Sequence, residues 1–157
     1  MKIVFGFPPI YDRAAALFPI KGREVYFAWG DTIYVTNSRK NPSEAIMAHE
    51  RVHSGQQYRA VSGEEHAKLM MEAHVRNWWD RYLADPAFRL SQDLPAHAAE
   101  LAHRLRNASG RNDRRRLVSI VAHKLSAPMY GGLISATRAK DELRRLIEQM
   151  PRAPAAM

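Results

Sequence analysis

Hydrophobic positions follow a strand pattern near the N-terminus and a helical period through most of the remaining chain. Three short β-prone runs, Lys2–Phe5, Glu24–Trp29 and Thr32–Thr36, predict strands, and Gly30-Asp31 predicts a hairpin turn between the last two. A short helical segment is expected at Asp12–Phe18. Apolar residues at helical spacing then predict a series of longer helices: one starting at Asn41, then Ser62–Ala84, Leu94–Asn107, Asn112–Ser126 and Ala136–Met150.

These elements predict an α+β fold that is mainly helical, with a small N-terminal sheet packed on the helices. A chain of 157 residues fits one domain, which we expect at 1–150, followed by a disordered tail at 151–157. The sequence has no cysteine, so any metal must be bound by histidine and carboxylate. No segment resembles a signal peptide or a transmembrane helix, which predicts a cytoplasmic protein without a membrane partner.

The helix that begins near Asn41 carries the residues with the most specific chemistry. Asn41 is a candidate N-cap, Pro42 fits the first helical position, and Glu44 can reach back to the cap. His49 and His53 follow at i and i+4, on one face of this helix, so both imidazoles can reach a single zinc ion. Glu50 can lean over the same metal as a general base.

This stretch is the H-E-x-x-H pattern, and here the chain resembles the zincin metallopeptidases. Metzincins continue with a glycine and a third histidine, whereas this chain has Gln56 and Arg59 at those positions. The resemblance is therefore to the gluzincin type, in which a carboxylate on a separate helix completes the zinc site. It implies a zinc peptidase acting on a peptide or protein, and it implies that Thr32–Thr36 is an edge strand able to pair with substrate.

A third ligand is expected from the helix that follows. Asp93, His97 and Glu100 lie at i, i+4 and i+7 and so share one face. The gluzincin resemblance favours Asp93 first, with Glu100 or His97 as alternatives. Asp93 could instead be the helix N-cap, with Glu100 a surface partner of Arg104. Tyr130, in a predicted turn, can either donate to an oxyanion or serve only the turn.

The region from Thr32 to Glu100 is also similar to small, uncharacterised H-E-x-x-H proteins encoded by bacteriophages. That likeness implies a phage or prophage origin, and hence the cytoplasm of an infected or lysogenic bacterium. It does not imply a particular substrate.

A second functional class is indicated by charge. The net charge is +8, and arginines are concentrated around the start of the predicted helix at 112–126. Cations at a helix N-terminus oppose the helix dipole, which suggests that a partner offsets them. Arg111, Arg114, Arg115 and Arg116 are therefore candidates for contact with nucleic acid or an acidic protein. On this alternative the chain is a basic accessory protein of phage type, and its zinc site is structural or vestigial.

Overall fold

A computed structural model describes residues 1–58 and 64–150 of the chain. The predicted helix start at Ser62 and the predicted tail at 151–157 lie outside these residues. About 64% of the chain is helical, and the described part contains six helices and a three-stranded sheet. The expected α+β class with a helical majority is confirmed. Within the described residues, no helix has both the length and the apolar character needed to cross a membrane.

The sheet consists of β1 (Lys2–Phe5), β2 (Val25–Trp29) and β3 (Thr32–Thr36). β2 and β3 form the predicted antiparallel hairpin, in the register Tyr26 to Val35 and Ala28 to Ile33. β1 pairs in parallel with the other side of β3, so the strand order is β1-β3-β2. The expectation that Thr32–Thr36 is an edge strand is therefore wrong. The edge beside the helices is β2.

The helices are connected mostly by short loops and account for most of the core. They are α1 (Tyr11–Leu17), α2 (Glu44–Tyr58), α3 (Glu64–Ala84), α4 (Pro86–Leu105), α5 (Arg111–Leu125) and α6 (Ala136–Gln149), with a 3-10 turn at Pro128–Tyr130. One apolar cluster joins α1 and β2 to aromatic residues of α3, including Trp78 and Trp79. Another joins α4, α5 and α6 around Leu101, Leu125 and Leu143. α2 lies against α4 and the hairpin.

Two predicted helix starts are wrong, for local reasons. α2 begins at Glu44, and its cap is Ser43, whose hydroxyl accepts from the Ile46 amide, so Asn41 lies outside the helix. α4 begins at Pro86, eight residues before the predicted Leu94. Asp85 ends α3 and also caps α4, accepting from the amides of Ala87 and Phe88, so the two helices follow each other without a loop.

The earlier start of α4 changes the interpretation of Asp93. This residue lies inside the helix, where it cannot be the N-cap. Pro95 also lies in the helix interior.

Gln57 fixes α2 to the hairpin. Its side chain is 3% exposed; Oε1 accepts from the Gly30 amide at 2.7 Å and Nε2 donates to the Ala28 carbonyl at 2.9 Å. Ser54 adds a hydrogen bond to the Gly30 carbonyl at 2.6 Å. The hairpin turn and the edge strand are thereby held against the helix that carries the H-E-x-x-H residues.

Replacing Gln57 with leucine is expected to lower the free energy of unfolding by about 1–3 kcal/mol, because the buried Gly30 amide loses its acceptor. Urea unfolding of the variant measures this loss. Gln149→Leu, at an exposed position near the end of α6, is the matched control and should be close to wild type. Equal stability of the two variants would show that the Gln57 contacts add nothing.

Candidate metal centre

Six functional side chains meet at the interface between α2 and α4. α2 contributes His49, Glu50 and His53, and α4 contributes the face predicted from the sequence: Asp93, His97 and Glu100. Each of the six is at most 7% exposed. Charged groups are rarely buried unless they are paired or bind a metal, so such a cluster requires compensation. The structure thus brings together every residue that the sequence suggested for the metal and its base.

The two histidines of α2 are placed to share one ion. His49 Nε2 and His53 Nε2 are 3.1 Å apart. Two nitrogens bound to the same tetrahedral zinc, each about 2.1 Å from it, would be separated by roughly 3.4 Å. The spacing of the pair is close to that value.

The protons on these rings point away from the shared space. His53 Nδ1 lies 2.9 Å from Gln56 Oε1, and an amide oxygen can only accept, so His53 carries its proton on Nδ1. Burial lowers the pKa of His53 to about 3, which keeps the ring neutral. His49 Nδ1 lies 3.4 Å from Glu100 Oε2 but forms no aligned hydrogen bond with a described residue. With a proton on His49 Nδ1 as well, both Nε2 lone pairs would face each other, an arrangement that a cation between them stabilises.

Asp93 brings an uncompensated carboxylate to the same space. Oδ1 accepts from the Tyr82 hydroxyl at 2.8 Å and lies 3.7 Å from His53 Nε2. Oδ2 is buried without a hydrogen-bond partner in the part of the chain that the structure describes. Burial raises the pKa of Asp93 to about 7, although Tyr82 and the charge of Arg89 act against it.

His97 is the third buried imidazole. Its Nδ1 donates to the Asp93 backbone carbonyl at 2.9 Å, which leaves the lone pair on Nε2. Nε2 has no hydrogen-bond partner among the described residues. Burial lowers the pKa of His97 well below the usual histidine value, so the ring is neutral. A backbone carbonyl that fixes one nitrogen while the other is free is the usual setting of a metal-binding histidine.

Glu100 differs from Asp93 because its charge is already balanced. Arg104 donates twice to Oε1, and Lys124 from α5 donates to Oε2 at 2.8 Å. Burial alone would raise the pKa of Glu100, but His49 and Lys124 hold it well below its usual value. The alternative that Glu100 is a surface partner of Arg104 is correct about the pairing and wrong about the location, because Glu100 is fully buried.

His49, His97 and Glu100 form a buried group that can hold a metal ion, since their ligand atoms lie within 4.8 Å of one another. His53 Nε2 lies 3.1 Å from His49 Nε2, and Asp93 Oδ1 lies 3.7 Å from His53 Nε2, so both residues border this group. Histidine and carboxylate are donors that suit zinc in a chain without cysteine.

Glu50 lies beside the histidines in the wall of a small cavity of about 60 Å³. Burial raises the pKa of Glu50 above the usual glutamate value, and the charges of His49 and Lys124 only partly oppose this effect. Edge strand β2 and Tyr130 form other parts of the same wall. The cavity has room for a few water molecules next to the base.

The arginines predicted to bind a polyanion are exposed and do not belong to this buried site. Arg111, Arg114 and Arg115 line a separate groove with Arg144, and the groove contains apolar side chains of Leu105, Val118 and Ile147. Arg116 instead donates to Asp113, three residues earlier in α5.

Several residues of the site were missed by sequence reasoning. Gln56 appeared only as a departure from the metzincin pattern, yet it orients His53 and is itself anchored to the Gln92 carbonyl at 3.0 Å. Its position three residues after His53, on the same helix face, was the available signal. Tyr82 and Lys124 come from α3 and α5, and no local pattern identifies a partner so far away in the chain.

Comparison with known proteins identifies no relative. No protein-family model matches the chain, and neither the curated proteins nor the solved structures include a significant match. The functional argument therefore depends on the geometry of the site.

Removing the hydrogen bond between His53 Nδ1 and Gln56 should weaken metal binding without destroying the site. Gln56→Met is expected to lower zinc affinity by about 10–100-fold, because His53 loses the group that fixes its tautomer. Gln56→Glu keeps an acceptor for Nδ1 but loses the donor to the Gln92 carbonyl, so it should lower affinity less than Gln56→Met does. Competition with a chromogenic chelator measures both values. Equal affinities of the methionine and glutamate variants would rule out this role for Gln56.

Proposed function

We propose that the protein is a zinc-dependent metallopeptidase of the gluzincin type, acting on a peptide or protein substrate in the cytoplasm of a bacterium. The proposal rests chiefly on one observation: His49 Nε2 and His53 Nε2 face each other at 3.1 Å, with Glu50 buried beside them. The atoms Asp93 Oδ2 and His97 Nε2 support it because both are buried without a hydrogen-bond partner among the described residues, on the face of α4 that meets these histidines.

The ligands that we assign are His49 Nε2, His53 Nε2 and Asp93. Asp93 is preferred to Glu100 because its charge has no cationic hydrogen-bond partner among the described residues, whereas Glu100 is bound by Lys124 and Arg104. Glu100 then orients His49 through Nδ1, as outer carboxylates commonly do for zinc-binding histidines. His97 is the alternative third ligand, because its Nε2 is equally free.

Zinc in this site would supply Lewis acidity, which activates water for attack and polarises a peptide carbonyl. Glu50 takes a proton from the attacking water as its oxygen bonds to the carbonyl carbon. Glu50 then delivers that proton to the amide nitrogen as the C–N bond breaks. Burial raises the pKa of Glu50, which makes its carboxylate a stronger base toward the attacking water. Tyr130, in the cavity wall, is the candidate donor to the oxyanion.

The ligand assignment predicts unequal effects of two conservative substitutions. Asp93→Asn should lower zinc affinity by more than about 100-fold, because it removes a ligand charge and keeps the shape. Glu100→Gln should lower it by only about 10–100-fold, as for an outer-shell residue. Isothermal titration with zinc, on variants shown to be folded by circular dichroism, gives both values. A larger loss of zinc affinity in Glu100→Gln than in Asp93→Asn would instead assign the metal to the group formed by Glu100, His49 and His97.

The role of Glu50 predicts a variant that keeps the metal and loses the chemistry. Glu50→Gln should bind zinc as wild type does and reduce peptide hydrolysis by at least about 10²-fold, because the general base is gone. Glu44→Gln, at an exposed position on the same helix, is the control and should remain active. Hydrolysis can be followed by mass spectrometry of a mixed peptide library. Full activity of Glu50→Gln would remove it from the mechanism.

A second function, polyanion binding, is favoured by the arginine groove. The first turn of α5 has no side-chain cap, and Arg111, Arg114, Arg115 and Arg144 lie around it. On this proposal the groove contacts nucleic acid or an acidic protein, as expected for a basic accessory protein of phage type. The lining residues include no aromatic side chain, which disfavours base stacking and favours backbone phosphate or carboxylate contact.

Replacing Arg111, Arg114 and Arg115 together with glutamine should weaken binding to random-sequence DNA and flatten its salt dependence, because three phosphate contacts are lost. Fluorescence anisotropy over a range of salt concentrations measures both effects. The matched control replaces Lys21, Arg39 and Arg138 together with glutamine, which removes three exposed cations and leaves the groove intact. Equal loss in both multiple variants would mean that only net charge matters.

A further inference from the structure

Outside the metal centre, Arg89 is the most unusual buried charge. The residue is 6% exposed, and its Nη1 donates to the backbone carbonyls of Tyr82 and Leu83 at the end of α3. No carboxylate lies within ion-pair distance of it among the described residues. Nε is buried without a hydrogen-bond partner in the same part of the chain. The two carbonyls stabilise the cation only in part, because they leave donors of the guanidinium unused.

The guanidinium of Arg89 borders a cleft of about 610 Å³ that is open to solvent. Its other walls are apolar side chains and backbone: Leu17, Phe18, Pro19, Leu83, Pro128 and the pair Gly131-Gly132. The Phe18 ring lies 4.9 Å from the guanidinium carbon, which limits the side chain's freedom to swing away. The cleft therefore combines one fixed cation with apolar walls.

The glycine at position 131 keeps space open beside the unused donors. A Cβ at Gly131 would lie 3.0 Å from Arg89 Nη2 and 3.4 Å from Nε, whereas a Cβ at Gly132 would meet nothing within 4 Å. Both glycines have positive φ, +91° and +61°, so alanine is strained at either position. Only alanine at 131 would also obstruct the guanidinium.

We propose that Arg89 and this cleft form a binding site for a carboxylate attached to an apolar group. A guanidinium recognises planar carboxylates through its N–H donors, and one cation balances one carboxylate charge. A phosphate dianion would bring a second charge into a cleft whose described walls carry no other cation. The apolar walls would hold the remainder of the ligand, which is either a free carboxylic acid or the C-terminal residue of a peptide.

The cleft is separate from the metal cavity but adjacent to it. Phe18 contributes to both, and the turn at 128–132 lies between them, with Met129 and Tyr130 on the metal side and Pro128 and Gly131 on the Arg89 side. The inference does not depend on the proposed peptidase activity, because it requires only Arg89 and the walls of its own cleft.

The test is a titration of ¹⁵N-labelled, full-length protein followed through the Nε–H signal of Arg89, assigned by its loss in Arg89→Lys. N-acetylleucine should shift this signal in a saturable manner, and N-acetylleucinamide, which lacks the carboxylate, should not. A carboxylate bound only at the metal would bind Gly131→Ala as tightly as wild type, so the glycine variants separate the two sites. A saturable shift with inorganic phosphate at equal or higher affinity would overturn the assignment to a carboxylate.

Variants of the two glycines complete the test. Gly131→Ala should weaken N-acetylleucine binding by about tenfold or more, because its methyl group occupies the space beside Nη2. Gly132→Ala, which also places alanine at a positive φ, should bind like wild type. No saturable shift with N-acetylleucine in wild type, or equal binding by both variants, would overturn the proposal. Isovalerate, a free acid with the same apolar group, distinguishes the two possible sources of the carboxylate. If isovalerate binds more tightly than N-acetylleucine, the natural ligand is a free carboxylic acid. If it binds more weakly, the natural ligand is the C-terminal residue of a peptide.

Discussion

The architecture of the site depends on the burial of ionisable side chains between α2 and α4. The interface between two closely packed helices is ordinarily filled by apolar side chains, yet this one contains three histidines and three carboxyl groups. Such a contact is costly unless charges are balanced and hydrogen bonds are complete. Glu100 satisfies this condition through Lys124 and Arg104, whereas Asp93 Oδ2 and His97 Nε2 have no hydrogen-bond partner among the described residues, and we propose that a cation compensates them.

The surrounding structure holds this interface in place from several sides. Gln57 and Ser54 tie α2 to the hairpin, so edge strand β2 is kept beside Glu50. Tyr82 of α3 fixes one oxygen of Asp93, and Gln56 fixes the ring of His53. Arg89 in turn links the end of α3 to α4. Each helix near the site thus contributes a polar contact in addition to its apolar packing.

Local features of the fold could be predicted from the sequence, and long-range ones could not. The hairpin and the H-E-x-x-H helix depend on neighbours in the chain, and β2, β3 and α2 are found where the pattern indicated them. The shared face of Asp93, His97 and Glu100 was also correct, because helical periodicity does not depend on where the helix starts. The predicted start of α4 was wrong because Asp85 caps this helix directly after α3, with Pro86 at the first helical position.

The errors and omissions share a physical cause. β3 is the central strand because β1, which lies much earlier in the sequence, pairs with it in parallel. No local pattern reveals a partner so distant in the chain. Lys124 and Tyr82 likewise reach the site from helices whose docking is determined by the apolar core. Sequence spacing therefore identified the groups able to bind a metal, but not the contacts that distinguish Asp93 from Glu100.

The central claim is that a metal ion completes the α2–α4 interface, and metal content tests it most directly. Elemental mass spectrometry of protein purified without added zinc, beside His53→Ala prepared identically, should find about one zinc per chain in wild type and a large loss in the variant. Absence of metal from wild type, with none taken up from dilute zinc, would contradict the account. Unchanged zinc in His53→Ala would contradict it equally.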